Sequence, residues 1–245
     1  MKPILIVGAL KSETDYLIEK IENRKESKLG IYNFYEGTIN DYPVCLIKTE
    51  IGVVNAASSV TLAIEKCNPL YILNEGTAGG ITPRYHKKDI IIGEEVFNIM
   101  SNKTPYKELG EGSDSLDWNY VSFIEGVQDT RILYDGNQEL INFFYDIKDL
   151  YKNGNVYKGT IGSADVWNRE KDKLKFLSDK FNVSCEDMES ISVYSVAKNY
   201  NIPVLGIKIM SDNELLGEEY EPAVASYLQE FFYDALVSLI EKIRG

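Results

Sequence analysis

The run Val204-Leu205-Gly206-Ile207-Lys208-Ile209-Met210-Ser211-Asp212-Asn213 joins an apolar stretch to a polar end. A short apolar run of this kind is typical of a buried strand. Open α/β sheets bind their ligands in the crevice beyond the carboxyl ends of the strands, so Asp212 is a candidate site residue. The run therefore predicts a central strand and one wall of a ligand site.

The segment just before this strand carries a second group of carboxylates. Cys185-Glu186-Asp187-Met188-Glu189 leads into a helical pattern, and a short helix-to-strand connection would bring Glu189 to the same sheet edge as Asp212. A purely structural interpretation stays open, because Glu186, Asp187 and Glu189 would also favour a helix N-terminus through the macrodipole, and Asp212 would cap a turn. We interpret Glu186 as a surface charge.

Length and composition are those of a globular protein that needs no covalent support. At 245 residues the chain is within the range of one undivided α/β domain, and we expect residues 1–245 to form a single domain. The net charge of −12 argues against a nucleic-acid surface, which requires clustered Lys and Arg. The N-terminal apolar run is too short for a signal peptide or a membrane span. We therefore expect a cytoplasmic protein with no membrane contact.

The cysteines and the single histidine limit the possible metal and nucleophile chemistry. Cys45, Cys67 and Cys185 are widely spaced and odd in number, which is typical of reduced thiols in or near a core. With no CxxC motif and no Cys/His cluster, we expect no zinc site, and neither a Walker lysine motif nor GxGxxG is present. A histidine-based triad would have to use His86, for which a solvated loop position is the simpler interpretation.

Strands alternate with helices along the chain. We predict strands near 4–7, 34–39, 44–48, 71–73, 89–93, 156–161 and 204–210, and helices near 12–21, 53–65, 138–151, 171–181 and 221–244. This alternation predicts a three-layer α/β/α sandwich around a central mixed β-sheet. Residues 98–129 show a weaker pattern, and so long a loop in a compact domain is usually functional or mobile.

Several segments that follow predicted strands carry small, acidic or aromatic residues. They are 8–13, 51–52, the glycine-rich 74–80, 162–168 and Ser211-Asp212. Each is a weak signal alone, since the glycines could simply turn the chain and Trp167 could be an ordinary packing residue.

Taken together and in order, these segments resemble the nucleoside phosphorylase and nucleosidase superfamily, and within it the 5′-methylthioadenosine/S-adenosylhomocysteine nucleosidases. The resemblance covers nearly the whole chain and implies the nucleoside phosphorylase-like fold. The matching motifs are Gly8-Ala9-Leu10-Lys11-Ser12-Glu13, Ile51-Gly52-Val53-Val54-Asn55-Ala56-Ala57, Asn74-Glu75-Gly76-Thr77-Ala78-Gly79-Gly80, Ser163-Ala164-Asp165-Val166-Trp167, Asp187-Met188-Glu189 and Ser211-Asp212.

The resemblance implies cleavage of the N-glycosidic bond of a purine nucleoside, a small-molecule partner, without a metal or cofactor. Asp212, oriented by Ser211, would protonate or hydrogen-bond N7 of the leaving purine. Glu13 would position and deprotonate the attacking water, and Glu189 would hold the ribose 2′- and 3′-hydroxyls. The other implied substrate contacts are Met188 beneath the sugar, Trp167 and the backbone of Asn168 at the base, and Ile51, Thr77, Ala78 and Gly79 along the pocket wall.

Enzymes that use water and enzymes that use phosphate as the nucleophile differ in the residues that lie opposite the base. Phosphorylases of this superfamily place arginines near the first glycine turn and just before the glycine-rich segment, because a phosphate dianion needs them. In this sequence those positions are residues 10–13 and Asn74-Glu75, which include carboxylates but no arginine. We therefore predict hydrolysis of methylthioadenosine, adenosylhomocysteine or a related adenine nucleoside, with release of adenine. A phosphorylase of the same fold and a non-catalytic nucleoside-binding protein are the alternatives.

The chain also departs from the family pattern. A His-Asp-Ala-Asp stretch of the family is replaced by Phe97-Asn98-Ile99-Met100-Ser101-Asn102, and residues 98–129 align with nothing. In the family this region and a neighbouring subunit help to shape the pocket for the 5′ substituent, so the identity of that substituent stays open. Family precedent and the apolar helix faces suggest a homodimer.

Overall fold

The computed structural model describes residues 1–123, 125–126 and 132–245. The strands are β1 (Ile4–Gly8), β2 (Glu22–Leu29), β3 (Tyr32–Ile39), β4 (Tyr42–Lys48), β5 (Tyr71–Gly80), β6 (Ile90–Asn98), β7 (Asn102–Lys103), β8 (Asn119–Tyr120), β9 (Leu133–Asp135), β10 (Val156–Ser163), β11 (Val183–Asp187) and β12 (Val204–Asn213). The helices are α1 (Lys11–Lys20), α2 (Val53–Cys67), α3 (Gln138–Asp146), α4 (Lys171–Phe181), α5 (Ser190–Asn199) and α6 (Ala225–Arg244).

A mixed sheet connects every one of these strands except β7 and β8, which pair with each other. Its order is β11-β10-β6-β12-β5-β1-β4-β3-β2, and β9 pairs with β6. β11 also pairs antiparallel with the end of β5, through Cys185 with Gly80 and Glu186 with Gly79. In sheet order, the five strands β11, β10, β6, β12 and β5 therefore form a closed ring. This closure brings the ends of β5, β11 and β12 together.

Helices cover both faces of the sheet, as the predicted three-layer α/β/α sandwich requires. Side chains alternate between the two faces of a strand. Ile4 and Ile6 of β1 pack in a core cluster with α1, α3 and α6, whereas Leu5 and Val7 pack in a second cluster with α2 and α5. The predicted fold class is confirmed. None of the helices among the described residues has both the length and the apolarity needed to cross a bilayer.

Some predicted elements are present with their predicted limits, and others were missed. α4 is found as predicted, and the predicted hairpin is present as β3 and β4, joined by Asn40 and Asp41 in the left-handed region. β2 was missed because its sequence is almost entirely polar. It is an exposed edge strand, where charged side chains oppose pairing with another chain.

Several predicted strand and helix ends were wrong. The glycine-rich segment 74–80 is not a loop but the second half of β5, and Ser211-Asp212-Asn213 completes β12. Residues 185–187 do not open a helix; they end β11, and α5 begins at Ser190. The glycine-rich sequence favours a loop, but β5 has hydrogen-bonded partners in β1, β12 and β11 along its length. These strand pairings outweigh the local preference of the residues.

Residues 98–129, predicted to lack regular structure, contain β7, β8 and a short 3₁₀ turn at Ser115–Asp117. Residues 124 and 127–129 of this segment lie outside the described residues.

Candidate active site

A cavity open to solvent lies at the ends of β5, β11 and β12, and it spans about 660 Å³ when the solvent space at its mouth is included. Ten of the predicted site residues line it: Glu13, Ile51, Thr77, Ala78, Gly79, Trp167, Met188, Glu189, Ser211 and Asp212. The lining residues that were not predicted as site residues are Ala9, Leu10, Val166, Glu186, Asp187 and Tyr220. The closure of the sheet thus gathers segments that are far apart in the chain.

Glu13 lies in the first turn of α1 and points back over the end of β1. Its Oε2 accepts hydrogen bonds from the backbone N–H groups of Ala9 and Leu10, at 3.2 and 2.9 Å. Its Oε1 accepts from the backbone N–H and the hydroxyl of Thr77, both at 2.8 Å. These four donors fix the direction of the carboxylate, and the Thr77 hydroxyl is the one donor among them that can rotate away to admit a ligand.

Glu189 lies directly before α5 and reaches the start of α2. Its Oε1 accepts a hydrogen bond from the backbone N–H of Gly52 at 3.0 Å, while Oδ1 of Asp165 accepts from that of Val53 at 2.8 Å. Gly52 has φ +103°, and a Cβ there would lie 2.8 Å from Oδ1 of Asp165. Two carboxylates therefore hold the N-terminus of α2 against the pocket. Burial raises the pKa of Glu189 to about 7.

Ser211 and Asp212 stand at the end of β12, where the pairing with β5 shifts register between Met210 and Asp212. Such a bulge turns a side chain towards a new direction. The Ser211 hydroxyl donates to Oδ1 of Asp212 at 2.7 Å, and Oδ2 lies so close to Gly79 that a Cβ there would be 3.2 Å away. Burial raises the pKa of Asp212 despite the Ser211 bond, which favours the protonated form that an acid catalyst needs.

Lys208 is a buried cation beneath this pocket, and no sequence motif predicted it. Its Nζ lies 2.9 Å from Oδ2 of Asp187, and both side chains are shielded from solvent. Burial alone lowers the pKa of Lys208, but the charges of Asp187, Glu189 and Glu13 more than offset this and raise it. The floor of the pocket is therefore a charged network organised by one ammonium group.

Glu75 lies beside this network without joining it. Both of its carboxyl oxygens are buried and have no hydrogen-bond partner among the described residues. Burial raises its pKa well above the ordinary value, and the charge of Glu13 adds to this effect while that of Lys208 opposes it. Glu75 therefore resists ionisation.

Trp167 and Tyr220 form the aromatic side of the cavity. Their ring centroids are 5.7 Å apart at an interplanar angle of 65°, and 55% of Trp167 is exposed. So large an exposed indole at a pocket mouth is available to a flat ligand. Tyr220 was missed because it lies in an acidic segment after the last strand and belongs to no motif.

Asn168 and Glu186 are arranged differently from the prediction. Glu186 is not a surface charge: it is 7% exposed and lines the cavity, because it belongs to β11 rather than to a helix start. Asn168 does not line the cavity. Its backbone N–H donates to Oε1 of Glu186 at 2.8 Å and its Nδ2 donates to Oε2 at 2.6 Å. The prediction that the backbone of Asn168 contacts a base therefore cannot involve its N–H group, which is already engaged.

Residues 3–240 match the family described as the Phosphorylase superfamily. The match extends over nearly the whole chain and includes every segment that lines the cavity. The chain belongs to the Phosphorylase superfamily.

Curated relatives of this Phosphorylase superfamily member are nucleosidases. A 5′-methylthioadenosine/S-adenosylhomocysteine nucleosidase of Anoxybacillus flavithermus is 28% identical over 228 residues, which cover 93% of this chain and 91% of the relative. A nucleosidase of the same name from a Geobacillus species is 26% identical over 246 residues, covering 98% and 99%.

Solved structures share the fold of this superfamily member. A 5′-methylthioadenosine/S-adenosylhomocysteine nucleosidase of Neisseria meningitidis, in complex with methylthio-immucillin-A, superimposes with a TM-score of 0.80 at 20% identity and covers 97% of this chain and 100% of its own. The futalosine hydrolase of Helicobacter pylori gives 0.78 at 20% identity, with 98% of each chain covered. The nucleoside phosphorylase-like fold implied by the sequence motifs is confirmed.

Two other features of this superfamily member bear on its chemistry. His86 lies outside the cavity, where its Nδ1 is 2.9 Å from Oε1 of Glu218. Within the described ranges, no three His, Cys, Asp or Glu side chains are grouped so that they could hold a metal ion. The residues that line the cavity offer carboxyl groups and aromatic rings to a ligand.

Proposed function

We propose that the protein is a purine nucleosidase that hydrolyses the N-glycosidic bond of 5′-methylthioadenosine, S-adenosylhomocysteine or a related adenine nucleoside and releases adenine. The observation that carries this proposal is that Glu13, Glu189 and Asp212, three buried carboxyl groups from distant segments, line one cavity. The nucleosidase names of the relatives that span the whole chain support the same reaction.

Asp212 acts on the leaving base. When the C1′–N9 bond breaks, its electron pair passes to the purine, and protonation at N7 stabilises the departing base. The raised pKa of Asp212 supplies a proton donor, and Ser211 holds Oδ1 so that Oδ2 faces the cavity beside Gly79. The absence of a side chain at Gly79 leaves room for the base.

Glu189 and Glu13 act on the sugar and on water. Glu189 hydrogen-bonds the ribose hydroxyls while positive charge develops at C1′, where nearby carboxylates stabilise the transition state. Glu13 orients the attacking water in place of the Thr77 hydroxyl and accepts its proton, and the water oxygen forms the new bond to C1′. Met188 packs beneath the sugar.

The charges around the cavity favour water over phosphate as the nucleophile. Within the described chain, no lysine or arginine lines the cavity. Five of the lining residues carry carboxyl groups: Glu13, Glu186, Asp187, Glu189 and Asp212. The nearest buried cation, Lys208, is already paired with Asp187. A phosphate dianion would enter without the cationic partners that it requires.

We expect release of adenine from 5′-methylthioadenosine at the same rate with and without phosphate, with the free sugar as the second product. Chromatography of the base and the sugar, over a phosphate series at constant ionic strength, measures this. Base release that requires phosphate and yields a sugar 1-phosphate would support the phosphorylase alternative. A protein that binds nucleosides but releases no base from methylthioadenosine, adenosylhomocysteine, adenosine or inosine would be the non-catalytic alternative.

Replacing Trp167 with Ala should weaken the binding of adenine by about 5- to 150-fold, since stacking of a base on an aromatic side chain contributes about 1–3 kcal/mol. The melting temperature should change little, because more than half of the indole is exposed. Calorimetric titration of adenine into both proteins measures the difference. Trp167→Phe is the matched control and should retain most of the affinity; equal affinity in the Ala variant would contradict the stacking role.

The same proposal includes a cytoplasmic homodimer. Ile51 beside the pocket and Val54 and Leu62 on α2 are exposed apolar residues, 47%, 70% and 41% accessible, and they provide a surface for a second copy. Light scattering coupled to size exclusion tests the stoichiometry.

A further inference from the structure

Glu186 lines the cavity, yet the proposed reaction gives it no role. In that reaction Asp212 protonates the base, Glu189 binds the sugar hydroxyls and Glu13 activates the water. Glu186 is 7% exposed, and its carboxyl group accepts hydrogen bonds from the backbone N–H and the Nδ2 of Asn168. A carboxylate that accepts two hydrogen bonds still has lone pairs that it can offer to a ligand in the cavity.

The sheet register places Glu186 on the base side of the cavity. Gly79 of β5 is paired with Asp212 of β12 on one side and with Glu186 of β11 on the other. Neighbouring strands are about 4.8 Å apart, so the two acidic residues flank Gly79 with their Cα atoms within about 10 Å of each other. A flat base that reaches Asp212 across Gly79 therefore extends towards Glu186.

The edge of a purine next to N7 differs between bases. Adenine presents the N7 acceptor beside the 6-amino donor, whereas a 6-oxopurine presents two acceptors there. If Asp212 binds N7, the 6-substituent is the next group along the base. The Asn168 backbone N–H does not face it, because that N–H is bonded to Glu186.

We propose that Glu186 reads the base: its carboxylate accepts a hydrogen bond from the 6-amino group of adenine, so that the site selects 6-aminopurine over 6-oxopurine nucleosides. This assignment rests on the proposed nucleosidase function. A carboxylate has about four lone-pair positions, and Asn168 occupies two of them, so acceptor capacity remains for the amino group. The oxygen of a 6-oxopurine would face this carboxylate with no proton between them, so O6 would lack a hydrogen-bond partner and the two acceptors would repel each other.

The Asn168 bonds also give the carboxyl group a fixed direction. One oxygen is held by the backbone and the other by the side chain, so both oxygens are fixed relative to the 166–168 loop that carries Trp167. Trp167, which would stack on the base, and Glu186, which would contact the edge of the base, are thereby both positioned by the 166–168 loop. Burial raises the pKa of Glu186 to about 7, so measurements at pH 8 keep most of the group ionised.

The test compares 5′-methylthioadenosine with 5′-methylthioinosine, which differ at the 6-position of the base and in the N1 proton that accompanies the oxo group. At pH 8 we expect kcat/KM of the wild-type protein to favour the 6-amino substrate by at least about tenfold, the effect of one charge-assisted hydrogen bond. Glu186→Gln should reduce this preference by about tenfold or more, because a carboxamide can donate to O6 as well as accept. Glu170→Gln, the same change at an exposed residue outside the cavity, should leave the preference unchanged.

A role limited to holding Asn168 would lower kcat/KM for both substrates alike and leave their ratio unchanged, and that result would overturn the proposal. So would a wild-type protein that prefers the 6-oxo substrate. Binding of free adenine and hypoxanthine, measured by calorimetry, tests the assignment even if no nucleoside is cleaved. Tighter binding of adenine that Glu186→Gln abolishes supports it. Equal affinities of the wild-type protein for the two bases, or no binding of either base, overturn it.

Discussion

Replacing Asp212 with Asn should lower kcat for 5′-methylthioadenosine by a factor of about 10² to 10⁴, the range that a positioned general acid contributes. The carboxamide keeps the shape of the side chain and can still accept the Ser211 hydrogen bond through Oδ1. It can donate a hydrogen bond to N7 but cannot transfer a proton. The loss should therefore appear mainly in kcat, with a smaller change in KM. Initial rates of adenine release measure both constants.

The control for Asp212→Asn is Asp234→Asn, the same substitution on the exposed side of α6. Asp234→Asn should retain the wild-type rate. Both variants should unfold near the wild-type temperature, since neither removes a buried hydrogen bond that Asn cannot make. Wild-type turnover in the Asp212 variant would show that another group protonates the base, and the assignment of the acid would be wrong.

The fold was predictable from the sequence because its strongest signals are local. The apolar run at the start of β12 and the alternation of strands with helices both predicted a sheet covered on two faces, and ordered motifs across the chain placed Glu13, Glu189 and Asp212 together. What the sequence could not show was the pairing of β11 with β5, since an antiparallel contact between Glu186 and Gly79 has no local signature. That contact closes the pocket.

The charged residues that were missed share one physical cause. In a linear sequence, Lys208 interrupts an apolar run and Glu186 opens an acidic group, and both patterns favour solvent exposure. Their burial is stable because other parts of the chain supply partners. Asp187 forms an ion pair with Lys208, and Asn168 donates hydrogen bonds to Glu186. Partner choice depends on tertiary structure, so single-residue propensities cannot predict it.

Replacing Lys208 with Met should cost about 3–5 kcal/mol of unfolding free energy, the usual penalty for breaking a buried ion pair by removing one partner. Met matches the apolar stem of Lys, so packing changes little. The charge is lost, however, and Asp187, Glu189 and Glu13 are left buried together without the cation that faces them. Urea unfolding at pH 8, followed by circular dichroism, measures the loss. Lys28→Met on the exposed strand β2 is the matched control and should change the unfolding free energy by less than about 0.5 kcal/mol.

The loss on replacing Lys208 should also depend on pH. Lys208 lowers the pKa of Glu189 and of Glu75 in the wild-type protein, so its removal raises the pKa of both carboxyl groups in the folded state. Groups whose folded pKa is raised bind more protons in the folded state, so their stability contribution falls as pH rises above the unfolded pKa. The deficit of Lys208→Met should therefore be larger at pH 8 than at pH 5. Adding Asp187→Asn removes one uncompensated charge and should recover part of the deficit. A deficit no larger than that of Lys28→Met, or one that shrinks as pH rises, would contradict the view that one ammonium group organises the floor of the pocket.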